Sequence, residues 1–571
     1  MNGATPDRTR FRIGTRFLAV AGLIVLSPGG AQAQSSPGAE RGSDGAPLAA
    51  APSPTPGILT PAEADGYLSY TSPDTAYAWL RTLADVAEER LAVEPLVTVP
   101  GASGGRPAVV PAARISAYAE AGNGPGSVTG ERIRVLIVGS QHGDERAGYE
   151  VALRLARDLG TGDLRALLTR LDVSIVPLAN PIGMRAGTRA DASGEDPNRD
   201  HVVLASPVNR ALWELHAELE PHVVLDLHEM GPSPFEAQIG LPTHPNVDPR
   251  LTELARYWLL PYVVRALARE NVRFHEYIAE NPDPSYPSEL EAPADTFLSW
   301  APISADNARN AFSLAGSVGL LLETASGHKI DDLARRTDRL YLTTVAFLEV
   351  IAGLSEEVRA RAWNSPDHRE ASSPFLSLRA EPAADPEQPY LRWLRRNEKG
   401  NIVPLKVERW RPTVRVTASL PLPGAWVVTP DGADLVEHLR RHGIRAEILR
   451  EPVTLEVSEY RTLDSVEPVE RMIPAGSWVI RADQERQRLL FSLVEPGSDD
   501  GWLHSPPPGL ARAASELLAA HAPPTETSVA SSDRDPAPPI DLPLFRIEGS
   551  VPDLPLEVAD AEWPTPAEGR P

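Results

Sequence analysis

The chain has 571 residues, enough for three or four domains at roughly 150 residues each. It carries no cysteine, which excludes disulfides, thiolate metal sites, iron–sulfur clusters and a cysteine nucleophile, so any metal must be held by His, Asp or Glu. A net charge of −23 argues against a nucleic-acid or anionic-membrane partner, because binding phosphate needs a positive field.

In chain order, residues 1–33 read as a signal peptide. Arg8, Arg10, Arg12 and Arg16 form a basic start, Phe17 to Leu26 an apolar stretch, and Ala31-Gln32-Ala33 a small-residue cleavage site. The apolar stretch is too short to span a bilayer, which takes about 20 residues. The expectation is therefore an exported protein, periplasmic or secreted, with no stable membrane insertion after cleavage. Residues 34–60, rich in Pro, Ala, Gly and Ser, read as a disordered linker.

Strand and helix signals then alternate. Arg134–Gly139, Val173–Leu178, His222–His228 and Gly319–Glu323 are short apolar runs, as expected of buried strands. Between and after them, helical spacing covers Tyr149–Leu159, Pro249–Glu270 and Asp331–Ala352, and Ser206-Pro207 opens a helix through Leu219. This predicts an α/β domain over 61–365, with a mixed, largely parallel sheet flanked by helices. Residues 366–411, dominated by Pro, Glu and Arg, read as a linker. Residues 412–520 predict a small α+β accessory domain, with strands at Ala425–Val428, Glu447–Val457 and Ser477–Arg481 and a helix at Asp434–His442. From 523 to 571 there are eleven prolines, so 521–571 reads as a disordered Pro-rich tail.

The candidate chemistry lies at strand ends. His142 and Glu145 sit three apart where the first strand gives way to a helix, a spacing that lets both reach one cation or that makes an ordinary turn pair. His228 closes another apolar strand, at the edge where open α/β sheets gather ligands; the alternative is a buried histidine bonded to backbone. Two imidazoles and one carboxylate with a fourth position open are the ligand set of a catalytic zinc. Glu323 follows Leu320-Leu321-Leu322, where a carboxyl is costly to bury unless partnered or employed as a proton carrier; otherwise it faces solvent or caps the next turn. Asn180-Pro-Ile-Gly183, Arg189 and Asp196-Pro-Asn-Arg-Asp200 lie between the ligand segments. A guanidinium there suits a carboxylate or a developing oxyanion, although one arginine alone reads as surface.

Five elements in this order, His-x-x-Glu, Asn-Pro-x-Gly, Asp-x-Asn-Arg, a strand-end His and Leu-Leu-Glu, make residues 130–352 resemble the zinc metallocarboxypeptidases of the carboxypeptidase A and T type. The resemblance implies a zinc carboxypeptidase-like fold and one Zn2+ per chain on His142, Glu145 and His228. Glu323 is then general base and acid, and Asn198 with Arg199 holds the substrate's terminal carboxylate. Arg189 polarises the scissile carbonyl, with Arg185 as competitor, and Asp196 orients the first histidine. The family's tyrosine before the glutamate is missing from Ser299–Ser304; Tyr277 and Tyr286 lie further back. Arg309 reads as helix surface, with reach to the substrate as the alternative, and His216 and His222 as surface and loop histidines. The short interval of 83 positions from Glu145 to His228 is similar to that of N-acyl-amino-acid deacylases of the aspartoacylase type.

The resulting expectation is an exported zinc-dependent carboxypeptidase acting on a peptide. A deacylase of N-acyl amino acids, or a cell-wall peptide amidase using the same zinc site, is the alternative. A non-catalytic binding protein is a third, which predicts that Glu323→Gln leaves the biological activity intact.

Overall fold

Near-continuous apolar runs suit strands covered on both faces, and these runs form the centre of the molecule. The computed structural model describes residues 58–117, 132–282, 296–325, 330–362, 375–396, 399, 401–506, 510–520 and 542–558, all within one compact unit, Ser53–Pro571. The expected signal peptide and most of the 34–60 linker lie outside them. Among the described residues no helix is long and apolar enough to cross a membrane.

The main sheet comprises β1 (Leu91–Val99), β2 (Ala108–Ile115), β3 (Ile133–Gly139), β4 (Leu171–Val176), β5 (Val223–Met230), β6 (Ala237–Gly240), β7 (Phe274–Glu276) and β8 (Val318–Ala325). Its order is β1-β2-β4-β3-β5-β8-β6-β7. The central β4-β3-β5-β8 block is parallel, β1 and β2 extend it antiparallel, and β6 pairs antiparallel with β8 and parallel with β7. Helices α1 (Ala147–Gly160), α2 (Pro207–Leu219), α3 (Ala308–Leu314) and α4 (Leu333–Gly353) flank it. This is the mixed α/β architecture expected. From β3 the chain passes through α1 to β4 on one side, whereas β5 lies on the other. The connections diverge at the carboxyl ends of β3 and β5, the place where such sheets leave a crevice.

One ion pair ties helix to sheet in the interior. Arg336 of α4 lies 2.8 Å from Glu229 of β5, both fully buried, and Glu229 also accepts from the Ala147 N–H at the start of α1.

The accessory region is α+β, but larger than expected. Its seven antiparallel strands run in the order Ser465–Ile473, Val453–Thr462, Leu544–Ile547, Ala425–Val428, Trp478–Arg481, Glu447–Leu449, Leu556–Val558, with helices Ala433–Arg441 and Gln487–Val494. Two of these strands come from the stretch read as a disordered tail. Arg546 is fully buried there, 2.9 Å from Glu495, which also accepts from Trp426 Nε1 at 2.8 Å and Tyr460 OH at 3.0 Å. Strands of three and four residues between prolines carry too little periodicity to be read locally. The rest of that tail, 521–541 and 559–571, lies outside the described residues. The stretch read as a linker, 366–411, also carries strands: Phe375–Ala383 pairs with Thr413–Pro421 and Leu391–Arg396 with Ile402–Val407. Among the described residues each ribbon has two strands, so Pro382, Pro404 and Pro421 sit on edges, where a missing N–H is tolerated.

The accessory region packs on the α/β core through buried polar groups. His244 Nε2 lies 2.9 Å from Asp500 Oδ2, whose other oxygen accepts from Ala305 N at 2.7 Å. His442 Nε2 bonds the His201 carbonyl at 3.1 Å, and the His442 ring meets Trp213 edge-on at 4.9 Å. This corrects the reading of His216, which is buried on α2, stacked on Phe312 and 2.8 Å from Ser317 Oγ. His222 is buried too, its Nδ1 accepting from Arg134 N at 3.1 Å. Sequence periodicity treats the outer face of α2 as solvated, whereas the accessory region covers it.

Burial pushes the His201 and His442 imidazoles down to about 4. Their folded values lie below the unfolded value of about 6.5, so the unfolded chain binds more protons between the two. The stability they contribute is complete above pH 6.5 and declines as pH falls toward 4. Thermal melts at pH 7.5, 6 and 5 test this; a melting temperature that holds constant or rises on acidification contradicts it.

Candidate active site

The turn after β3 builds the first half of the site. Ser140 takes a left-handed conformation (φ 48°), and its hydroxyl donates to the Glu145 carbonyl at 2.7 Å, folding His142 and Glu145 back over the strand end. A Cβ on Gly143 would lie 2.1 Å from the Gly183 carbonyl carbon, so this turn and the Asn180-Pro-Ile-Gly183 segment touch backbone to backbone. Asn180 accepts from Gly183 N at 2.8 Å and donates to the Arg189 and Ala190 carbonyls, both at 3.1 Å. The Asn-Pro-x-Gly element therefore seats the loop that carries Arg189.

Three expected ligands converge at the crevice. His142 Nδ1 lies 2.7 Å from Glu145 Oε1, His228 Nδ1 2.7 Å from Glu145 Oε2, and the two Nδ1 atoms are 3.1 Å apart. All three residues are buried, and their ligand atoms lie within 4.8 Å of one another. The outer ring nitrogens each meet a carboxylate: His142 Nε2 is 3.0 Å from Asp196 Oδ1 and His228 Nε2 2.9 Å from Asp226 Oδ2. Such pairs fix the rings with Nδ1 aimed inward, as metal-bound histidines require. Two nitrogens and a carboxylate, with no thiolate, fit a zinc ion with a position left open.

Electrostatics favour the charged forms. Burial pushes the Glu145 carboxyl up, but His228 and His142 outweigh it and hold it well below the usual range. Burial pushes the His228 imidazole down, yet Asp226 and Glu145 lift it well above its ordinary value. A divalent cation held by His142, Glu145 and His228 would supply the compensating charge in place of the His228 proton.

Asp226 was missed in the sequence, although the signal was there. It stands two positions before His228, and alternation puts both on one face of β5. Gln141 Nε2 donates to it at 2.8 Å and Asn198 Nδ2 at 3.2 Å. Asp226→Asn is expected to weaken metal affinity about 10–100-fold, the usual cost of such a partner. Competition with a metal chelator measures this; unchanged affinity removes Asp226 from the site.

Glu323 on β8 pairs in register with His228 on β5. It is buried, its Oε2 has no hydrogen-bond partner among the described residues, and burial, with Glu145 next, pushes it up to about 8. A carboxyl so placed can exchange a proton near neutral pH.

The arginines separate clearly. Arg189, half-exposed, bonds Asp196 Oδ2 at 2.8 Å and reaches Glu145 Oε1 at 3.3 Å. Arg185 turns away to the Arg106 carbonyl at 2.8 Å, with Asp74 at 3.5 Å. Asn198, expected at a substrate carboxylate, lies beside the cluster. It is buried, with its Nδ2 shared between Asp226 and His228 and its Oδ1 accepting from Ala308 N at 2.8 Å. Arg199 is half-exposed, donating to the Asn198 carbonyl at 2.6 Å and lying 3.9 Å from Asp306. Arg309 is buried, not on a helix surface. Tyr277 follows β7, its N–H bonding the Ile239 carbonyl at 2.9 Å; burial pushes its phenol up to about 12, reinforced by Glu323. Tyr286 lies outside the described residues.

Residues 131–282 match the model of the succinylglutamate desuccinylase/aspartoacylase catalytic domain. Carboxypeptidase 2 of Trichophyton tonsurans is 24% identical over 407 residues, covering 65% of this chain and 73% of that protein. A probable carboxypeptidase 2 of Arthroderma benhamiae is 25% identical over 408 residues, covering 65% and 74%. Among solved structures, a metallo-carboxypeptidase from Pseudomonas aeruginosa aligns at 18% identity with a TM-score of 0.33, over 49% of this chain and 69% of that one. The carboxypeptidase A from Helicoverpa armigera aligns at 14% with a TM-score of 0.36, over 51% and 75%. The chain is thus similar to curated carboxypeptidases along 65% of its length, and His142, Glu145 and His228 all fall in the part that matches the succinylglutamate desuccinylase/aspartoacylase catalytic domain.

Proposed function

We propose that the chain is an exported zinc-dependent metallocarboxypeptidase that removes C-terminal residues from peptides. The observation that carries this reading is the convergence of His142, Glu145 and His228 beside Glu323, at one edge of the sheet. Likeness to carboxypeptidases along 65% of the chain supports the reaction class, and the basic and apolar start of the sequence supports export.

Zinc on His142, Glu145 and His228 supplies Lewis acidity toward water and a carbonyl oxygen. Glu323 takes a proton from the attacking water and delivers it to the leaving amine nitrogen as the carbon–nitrogen bond breaks, giving a free acid and a free amine. Arg189, at the rim of the cluster, donates to the oxygen on which charge develops. Arg199 receives the substrate's terminal carboxylate. Asn198 acts one step back, steadying Asp226 and His228, and Tyr277 covers the substrate where the usual tyrosine is missing.

Deacylation of N-acyl amino acids is the second reading, favoured by the family matched over residues 131–282. Zinc-loaded protein assayed on N-blocked dipeptides and on N-acyl amino acids separates the two. Release of the C-terminal residue from dipeptides supports the first reading. Turnover of N-acyl amino acids alone supports the second, and turnover of neither contradicts both.

A further inference from the structure

A run of buried residues leads from the accessory region to the metal ligands, and each link in it is a hydrogen bond. Asp226 is the inner end. Its Oδ2 lies 2.9 Å from His228 Nε2, and its Oδ1 accepts from Gln141 Nε2 at 2.8 Å. Gln141 Oε1 lies 2.9 Å from His201 Nε2. The His201 carbonyl lies 3.1 Å from Nε2 of His442, the residue that ends the accessory helix Ala433–Arg441. Asp226, Gln141, His201 and His442 are all buried, so no link competes with bulk water.

Chemistry fixes the direction of the inner links. A carboxylate only accepts, so the Gln141 amide turns its NH2 group to Asp226 and leaves Oε1 facing His201. That oxygen needs a donor, and His201 Nε2 is the ring nitrogen within reach. With the proton of a neutral ring on Nε2, Nδ1 is left bare. His201 Nδ1 is buried without a hydrogen-bond partner among the described residues, as that tautomer requires. The outer links hold His201 in place. Its N–H donates to the Asp306 carbonyl at 3.0 Å, and its ring meets Phe312 edge-on at 5.2 Å. The His442 ring rests edge-on against Trp213 at 4.9 Å, and Arg486 of the accessory region donates to the His442 carbonyl.

We propose that His201 and Gln141 are positioning residues for the metal, acting through Asp226 on His228, and that His442 holds His201 in place. The assignment rests on the metal-site reading above and deepens it by giving the accessory region a part in setting metal affinity. Without the His201 donor, a buried amide oxygen is left unpaired. The Gln141 amide then rotates, Asp226 loses a donor, and its hold on the His228 ring loosens.

Zinc affinity of the full chain, measured by competition with a chelator, tests this. His201→Phe keeps a ring against Phe312 and is expected to weaken zinc binding about tenfold. His201→Gln, whose amide can still donate to Gln141, is expected to recover most of that loss. His442→Phe keeps a ring against Trp213 and is expected to weaken binding in the same direction, by less. In an Asp226→Asn background, His201→Phe is expected to weaken binding no further, because its effect passes through that carboxylate; an equal further loss overturns the relay. His244→Phe breaks a different contact of the accessory region, with Asp500, and is expected to lower the melting temperature while zinc affinity holds. A zinc loss there equal to that of His442→Phe overturns the His442 link. Wild-type affinity in His201→Phe overturns the relay, and in His442→Phe the accessory region's part in it. If the wild type binds no zinc, the metal-site reading fails, and nitrogen NMR of histidine-labelled, metal-free protein decides the relay alone. A neutral His201 protonated on Nε2, with a His228 imidazole displaced by His201→Phe, supports it; an unmoved His228 overturns it. Should His201→Phe not fold, Gln141→Met decides in its place by the same readings.

Discussion

Glu323→Gln is expected to lower kcat/KM on a peptide with a free C-terminus by about 10²–10⁴-fold, with metal content and melting temperature unchanged. Glutamine keeps the shape and hydrogen-bonding capacity of the carboxyl but cannot carry its proton. The exchange breaks no ion pair, because among the described residues Glu323 has no cationic partner in salt-bridge contact and burial already pushes its carboxyl up to about 8. A fold-neutral, metal-replete and inactive variant is therefore the signature of a proton carrier. Undiminished turnover removes Glu323 from that role, and undiminished biological activity favours the binding-protein reading instead.

Arg336→Met is expected to destabilise the protein by about 3–5 kcal/mol. The cost arises from what stays behind: Glu229, fully buried on β5, loses the guanidinium it pairs with. Its backbone N–H also donates to Glu145 Oε2 at 3.0 Å, so a shift there reaches a metal ligand. Adding Glu229→Gln removes the buried carboxyl that Arg336 pairs with and is expected to recover most of the loss. Urea unfolding of the single and double variants measures both effects. A single variant as stable as the wild type, or a double variant no better than the single, contradicts this account.

The parts of the site that could be read in the sequence are those in which chemistry and local pattern coincide. His142, Glu145, His228 and Glu323 each stand at the end of an apolar run, and the sheet assembles those ends side by side. What was hidden depends on contacts distant in sequence. Asn198 looks available for a ligand until Asp226, His228 and Ala308 N surround its amide. His216 and Arg309 sit at helical positions that look solvated, but Arg486 of the accessory region covers the first and the second lies beside Gly240 of the sheet. Strands Leu544–Ile547 and Leu556–Val558 are too short for periodicity and are flanked by proline, so only their pairing partners make them visible. Asp226 alone was legible and passed over, since its spacing from His228 is the strand repeat itself.

The most direct test of the central claim is zinc content measured by mass spectrometry on exhaustively dialysed wild type and on His228→Ala. One zinc per chain in the wild type and none in the variant is the predicted result. A wild type that does not retain zinc after reconstitution, or a variant that binds it equally well, contradicts the site.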